Sequence, residues 1–258
     1  MHLGQTFRRS QLALLFLVFL GLSALCWASR SGQQKSISES TESRLDRVTL
    51  PFSINSKLPE FRFQVVLKTN DPDSTDSYQS VQSIDVYSGT ADHPAQTLTG
   101  CDLEDSDFHD DINERFKVED LDFDGYKDIY LLTQRARNWA GCIWLYNATA
   151  GKFEFSREFT DTLDRFTLDP KTRSIFSFSG IGNDNYQVVQ YEVRDHRLTK
   201  VLEVKNETAS DGARETCTVW KLRSGKKVRV FNRTIDSDDA PRSASCGSGF
   251  IPDWGHFE

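Results

Sequence analysis

From Leu50 onward, apolar and polar residues alternate in short runs bounded by Gly, Asn, Asp and Pro, the period-two pattern of half-buried strands. Phe61, Phe63, Val65 and Leu67 fall on one side of such a run and Arg62, Gln64 and Lys68 on the other, before Asn70-Asp71-Pro72-Asp73 turns the chain. Phe116-Lys117-Val118-Glu119 alternates in the same way, while Ile129-Tyr130-Leu131-Leu132-Thr133 is continuously apolar, aromatic or β-branched and also predicts a strand. Further strands are predicted at Gly141–Tyr146 and Phe153–Phe155. Val189, Tyr191 and Val193 alternate up to a turn at Asp195-His196, and Leu198–Leu202 returns as the second arm of a hairpin. A last hairpin runs from Thr218-Val219-Trp220 through Ser224-Gly225 to Val228–Val230, and only Asp107–Glu114 suits a helical turn. Ten or more short strands with regular turn signals predict an all-β fold, either an antiparallel β-sandwich or a partial propeller-like stack of sheets. No exact internal repeat is visible, which favours one all-β domain over residues 49–258.

Between two of these strands lies Asp120-Leu121-Asp122-Phe123-Asp124-Gly125-Tyr126-Lys127-Asp128, with carboxylates at positions 1, 3, 5 and 9 and glycine at position 6. Such a density of negative charge is costly unless a cation sits among the oxygens, and calcium takes six to eight hard oxygen ligands in a flexible shell. Asp120, Asp122 and Asp124 are predicted to wrap Ca2+, and Gly125 to take the sharp turn that a Cβ disfavours. The Tyr126 carbonyl adds a ligand, and Asp128 closes the site directly or through water. The loop departs from an EF-hand at position 12, where Leu131 replaces the bidentate Glu, and strands replace the flanking helices.

Composition adds a compartment. Arg8 and Arg9 precede a nearly unbroken apolar run from Leu12 to Leu25, followed by polar residues after Ala28, so residues 1–28 read as a signal peptide. An uncleaved N-terminal anchor is the alternative, and the only predicted membrane contact; residues 29–48, rich in Ser, Gln and Glu, read as a flexible tether. The formal charge of -7 becomes about -9 once Arg8 and Arg9 are removed, which argues against nucleic acid and anionic membranes and suits a basic partner. Cys101, Cys142, Cys217 and Cys246 remain in an exported chain, periplasmic or extracellular, and an even number favours disulfides. Three pairings are open, among which Cys101–Cys142 with Cys217–Cys246 closes two moderate loops.

Catalytic signatures are missing. His93, His109, His196 and His256 form no zinc-protease pair and stand beside no nucleophile; Ser248 lacks a hydrolase elbow, and there is no phosphate-cradling glycine loop. The acidic stretch from Asp102 to Glu114 reads as a solvated loop in preference to a second source of calcium ligands or a surface for a basic partner, and Gly180–Asn185 reads equally as a turn or as a surface of exposed acceptors. Trp139, Trp144 and Trp220 read as core groups, and the sequons at Asn147, Asn206 and Asn232 matter only in a eukaryotic secretory pathway.

From Val118 to Val204, the Asp-x-Asp-x-Asp-Gly-Tyr-x-Asp loop, the strand after it, Trp144-Leu145-Tyr146-Asn147 and Gly151-Lys152-Phe153 together resemble exported bacterial proteins with an integrin-like, FG-GAP-type calcium loop. More narrowly, the pattern resembles periplasmic immunity proteins associated with type IV secretion of peptidoglycan hydrolases, which are similar in fold to inhibitors of invertebrate-type lysozyme. The resemblance covers about a third of the chain. It implies a non-catalytic protein that occludes the cleft of a cell-wall hydrolase, with calcium held by Asp120, Asp122, Asp124 and Asp128 as a brace. An FG-GAP-like adhesion or glycan-binding module is the alternative.

Overall fold

A computed structural model describes residues 44–70, 78–103, 106, 109, 111–135, 139–182, 185–210, 212–223 and 225–236. The described chain is built almost wholly of antiparallel strands, in agreement with the all-β expectation. Three sheets follow one another along the sequence. The first contains β1 (Arg44–Phe52), β2 (Phe61–Asn70), β3 (Tyr78–Ser88) and β4 (Gln96–Thr97). The second contains β5 (Phe116–Glu119), β6 (Asp128–Arg135), β7 (Trp139–Asn147) and β8 (Lys152–Phe155). The third has six strands: β9 (Arg165–Asp169), β10 (Ser174–Gly182), β11 (Asn185–Arg194), β12 (Arg197–Thr208), β13 (Arg214–Arg223) and β14 (Lys226–Asp236). Every strand pairs with its sequence neighbour, so each sheet is a plain meander.

The layering follows from side-chain parity. Along β6, Ile129 and Leu131 join the core shared with the first sheet, whereas Tyr130 and Leu132 join the core shared with the third. Along β7, Cys142, Trp144 and Tyr146 face the first sheet while Ile143 faces the third. The central strands β6 and β7 are therefore covered on both faces, which is why they are continuously apolar, whereas the outer strands β5 and β8 alternate. Phe61, Phe63, Phe116, Tyr146 and Phe153 form an aromatic cluster between the first two sheets, with the Tyr146 and Phe153 rings 5.1 Å apart. On the far face of the third sheet a further cluster gathers Phe176, Val188, Leu202, Val204, Cys217 and Val219.

Several local outcomes differ from the sequence reading. β1 begins at Arg44, inside the stretch read as tether, because Arg44 through Phe52 pairs with β2 in unbroken register. A helix, α1 (Ile112–Arg115), forms within the segment read as a helical turn, with Asp111 accepting from the Asn113 N–H. A second, α2 (Arg157–Thr162), was not anticipated: the Ser156 side chain caps it and Phe159 anchors it in the core. Of the segment Gly180–Asn185, the described residues end β10 and begin β11, with Gly182 paired to Asn185. The β11–β12 turn falls on Asp195-His196 as predicted, both with positive φ (52° and 58°), as a two-residue hairpin turn requires.

Cys101 and Cys142 form a disulfide with Cα atoms 6.1 Å apart, joining the segment after β4 to β7. Disulfides of this kind belong to oxidising compartments. Cys217 is also disulfide-bonded, and Cys246 lies outside the described residues, as do the signal-peptide and residues 29–43 of the tether. No described helix is long and apolar enough to cross a membrane.

Because Leu131 is fully buried, Leu131→Ala should cost about 2–5 kcal/mol in urea unfolding. Val228→Ala, at a position 52% exposed on β14, should change stability by less than about 0.5 kcal/mol. Reducing the Cys101–Cys142 bridge, which closes a 41-residue separation, should cost about 4 kcal/mol by the loop-entropy argument.

Candidate metal centre

The acidic loop joins β5 to β6, strands that pair in register from Phe116↔Leu131 to Glu119↔Asp128. Its conformation is written in its own aspartates. Asp120 accepts from the N–H groups of Asp124 and Gly125, each at 3.0 Å, and Asp124 accepts from the Tyr126 N–H at 2.8 Å. These bonds curl the backbone into a tight bend, and Gly125 takes φ +91° at its apex. Phe123 also has positive φ (61°), a conformation uncommon for a bulky residue, and its side chain packs against the core between the second and third sheets.

Asp128 is the anchor. It is fully buried, and its two oxygens accept from the Leu121 N–H and the Tyr146 N–H, both at 2.8 Å, tying the loop to β7. Elements on either side complete the frame. From the β1–β2 connection, Asn55 donates its amide to the Gly125 carbonyl at 2.8 Å, and the Ile54 carbonyl accepts from the Lys127 N–H at 3.0 Å. From the β11–β12 hairpin, His196 reaches across 74 residues to a short contact with Asp122. The loop thus sits where parts of all three sheets meet.

The carboxylates converge in two overlapping sets. Oxygens of Asp120, Asp122 and Asp128 lie within 4.8 Å of one another, and so do ligand atoms of Asp122, Asp124 and His196. Asp122 belongs to both and is 3% exposed; Asp124 is solvent-exposed. The predicted ligand set is therefore brought to one place but split: Asp124 lies on the outer side with His196, not with Asp120 and Asp128. Tyr126 donates its N–H to Asp124 and stacks its ring on Tyr146 at 5.5 Å.

Burial and like charge dominate the electrostatics of this cluster. Burial pushes the Asp128 carboxyl up to about 8, and the nearby Asp122 charge adds to that rise. Burial also raises Asp122, although its bond to His196 opposes the shift, and burial raises Asp120. His196 is raised in turn, chiefly by that same hydrogen bond. Buried like charges of this kind are relieved by protonation or by a cation. An all-carboxylate inner set is hard oxygen, the donor chemistry that calcium takes, so the residues fit the ion.

Sequence spacing identified all four aspartates but neither Asn55 nor His196, because no local pattern connects position 55 or 196 to the loop. The other sequence candidates disperse. Asp111 serves as a helix cap, Ser248 and most of the Asp102–Glu114 carboxylates lie outside the described residues, and Asn206 is buried within β12. Trp144 is core, as expected, with its indole N–H donating to the Thr99 carbonyl at 2.8 Å.

No known family model matches the chain, and no curated protein matches it in sequence. Among solved structures, a Xanthomonas type IV secretion system related protein is similar, with 14% identity over 72% of this chain and 100% of that one and a TM-score of 0.44.

Removing the anchor should be costly: Asp128→Ala leaves two buried N–H groups without acceptors, roughly 2–6 kcal/mol at one to three each. Chemical denaturation of the variant measures it, and a loss below 1 kcal/mol would contradict the anchoring role assigned to Asp128, on the same scale.

Proposed function

We propose that this chain is an exported, non-catalytic protein whose aspartate loop holds Ca2+ as a brace, and that it acts by binding and occluding a cell-wall hydrolase. The observation that carries the first half is the convergence of Asp120, Asp122 and Asp128 within 4.8 Å, with the latter two buried. Calcium would neutralise charge that otherwise leaves Asp128 raised to about 8, and would lock together the strands that the loop joins. The exposed flank at Asp124 leaves room for water among the six to eight oxygens that calcium takes. The second half rests on the resemblance of the loop and its following strand to the immunity-type proteins, and is supported by the lack of any recognisable catalytic arrangement in the sequence.

Calcium at a hundred times its dissociation constant should raise folding stability by about 2.7 kcal/mol, read as a shift in urea midpoint against chelator. Asp122→Asn, which keeps shape but removes the charge common to both ligand sets, should lose that gain. Identical midpoints with calcium and with chelator would remove the metal from this reading.

For the partner, purified mature chain should inhibit a muramidase or another peptidoglycan hydrolase at near-stoichiometric ratio, more strongly in calcium than in chelator, while degrading no peptidoglycan itself. Calcium binding without inhibition or retention of any hydrolase in a broad panel would separate the brace from the proposed role and overturn the latter.

A further inference from the structure

The second and third sheets close tightly around Tyr130, Leu132, Phe159 and Ile175 but part company at one edge. The cause is visible in the register of β5. Lys117 pairs with Tyr130 and Glu119 with Asp128, which sets both charged side chains on the same face as Tyr130, toward the third sheet. Charges facing an apolar layer without water are costly, so β9 cannot close over β5 as β10 and β11 close over β6 and β7.

What remains is a crevice of about 460 Å3. Aromatic rings line it: Tyr130 and Phe166 meet edge-on at 5.0 Å, and Trp139 is a further lining residue. The Arg165 guanidinium lies 5.6 Å from the Trp139 ring and 4.3 Å from the Phe178 ring. Arg115, a cationic side chain only 3% exposed, lines the interior. The exposed side chains of Glu114, Lys117 and Glu119 line the rim.

We infer that this crevice is a carbohydrate-binding site that takes a short neutral oligosaccharide. The chemistry of the lining selects that class. An anion would meet Glu114 and Glu119, a cation would meet Arg115 and Lys117, and an apolar ligand would strip water from the exposed Glu114, Lys117 and Glu119. A sugar hydroxyl both donates and accepts, so it is served by both signs at once, while the C–H face of a pyranose lies against an aromatic ring. The volume falls within the range of small-molecule sites, and aromatic walls with a few polar groups are their usual composition. The site borders the aspartate loop through Leu121 but uses none of its carboxylates, and it does not rest on the hydrolase reading; it adds a second binding function to the chain.

The test uses the full mature chain with three probes: cellohexaose, maltohexaose and the hexamer of N-acetylglucosamine. Binding is followed by calorimetry and by ligand-observed NMR. At least one probe should bind saturably, and Trp139→Ala should weaken it about tenfold or more, while the urea midpoint shows the variant folded. Glu119→Gln, an exposed rim change that spares the core, should weaken the same probe and serves if Trp139→Ala unfolds. The inference fails if none of the three probes saturates by about 10 mM, a level weaker than ordinary specific sites. It fails equally if binding survives both substitutions unchanged, or if inorganic phosphate displaces the sugar at comparable concentration, which would mark an anion site.

Discussion

A carboxylate with no exposure to solvent fixes the geometry of this protein. Asp128 opens β6, accepts backbone N–H groups from the loop before it and from β7 beside it, and does so within a few ångströms of two further aspartates. Were it an alanine, the loop would lose its attachment to β7; even alone it would resist ionisation, because burial is the larger cause of its raised proton affinity and the Asp122 charge adds to it. Its position imposes both demands together, and the surrounding structure answers them. The backbone donors satisfy its hydrogen bonds, while burial and the neighbouring carboxylates hold its proton affinity high.

The layering of the sheets makes that burial achievable. A loop at the edge of a solvated sheet would leave its carboxylates in water. Here β6, which the loop enters, is covered on both faces, by Ile129 and Leu131 toward one neighbour and Tyr130 and Leu132 toward the other. Connections from both outer sheets, carrying Asn55 on one side and His196 on the other, therefore close over the loop that enters it. The same geometry explains the crevice: where β5 turns charged side chains toward the third sheet, layering fails and a lined cavity takes its place.

Much of this was legible in the chain. Period-two alternation located Phe61–Leu67, Phe116–Glu119 and the Val189–Leu202 hairpin, because each strand buries one face and shows the other to water. The unbroken apolar run at Ile129–Thr133 carried a further message, that both faces are covered, which only the assembled layers make plain. The aspartate spacing marked the loop because local hydrogen bonds set its curl. Contacts made in space left no such trace. His196 sits in an ordinary hairpin turn, Asn55 in an ordinary connection, and nothing within a few residues of either encodes where the other sheets will bring them. Helix α2 escaped for a different reason: at six residues it is too short to establish a period, and only its Ser156 cap announces it.

The meander topology bears on how the chain comes together. Each sheet is drawn from one uninterrupted stretch, 44–97, 116–155 or 165–236, and every strand finds its mate next in line. Pairing can advance hairpin by hairpin as the polypeptide emerges, with little entropy spent on distant closure. The polar reach of Asn55 to Gly125 and of His196 to Asp122 belongs to the last stage, when separate layers dock. The acidic bend thus gains Asn55 and His196 only when separate layers come together.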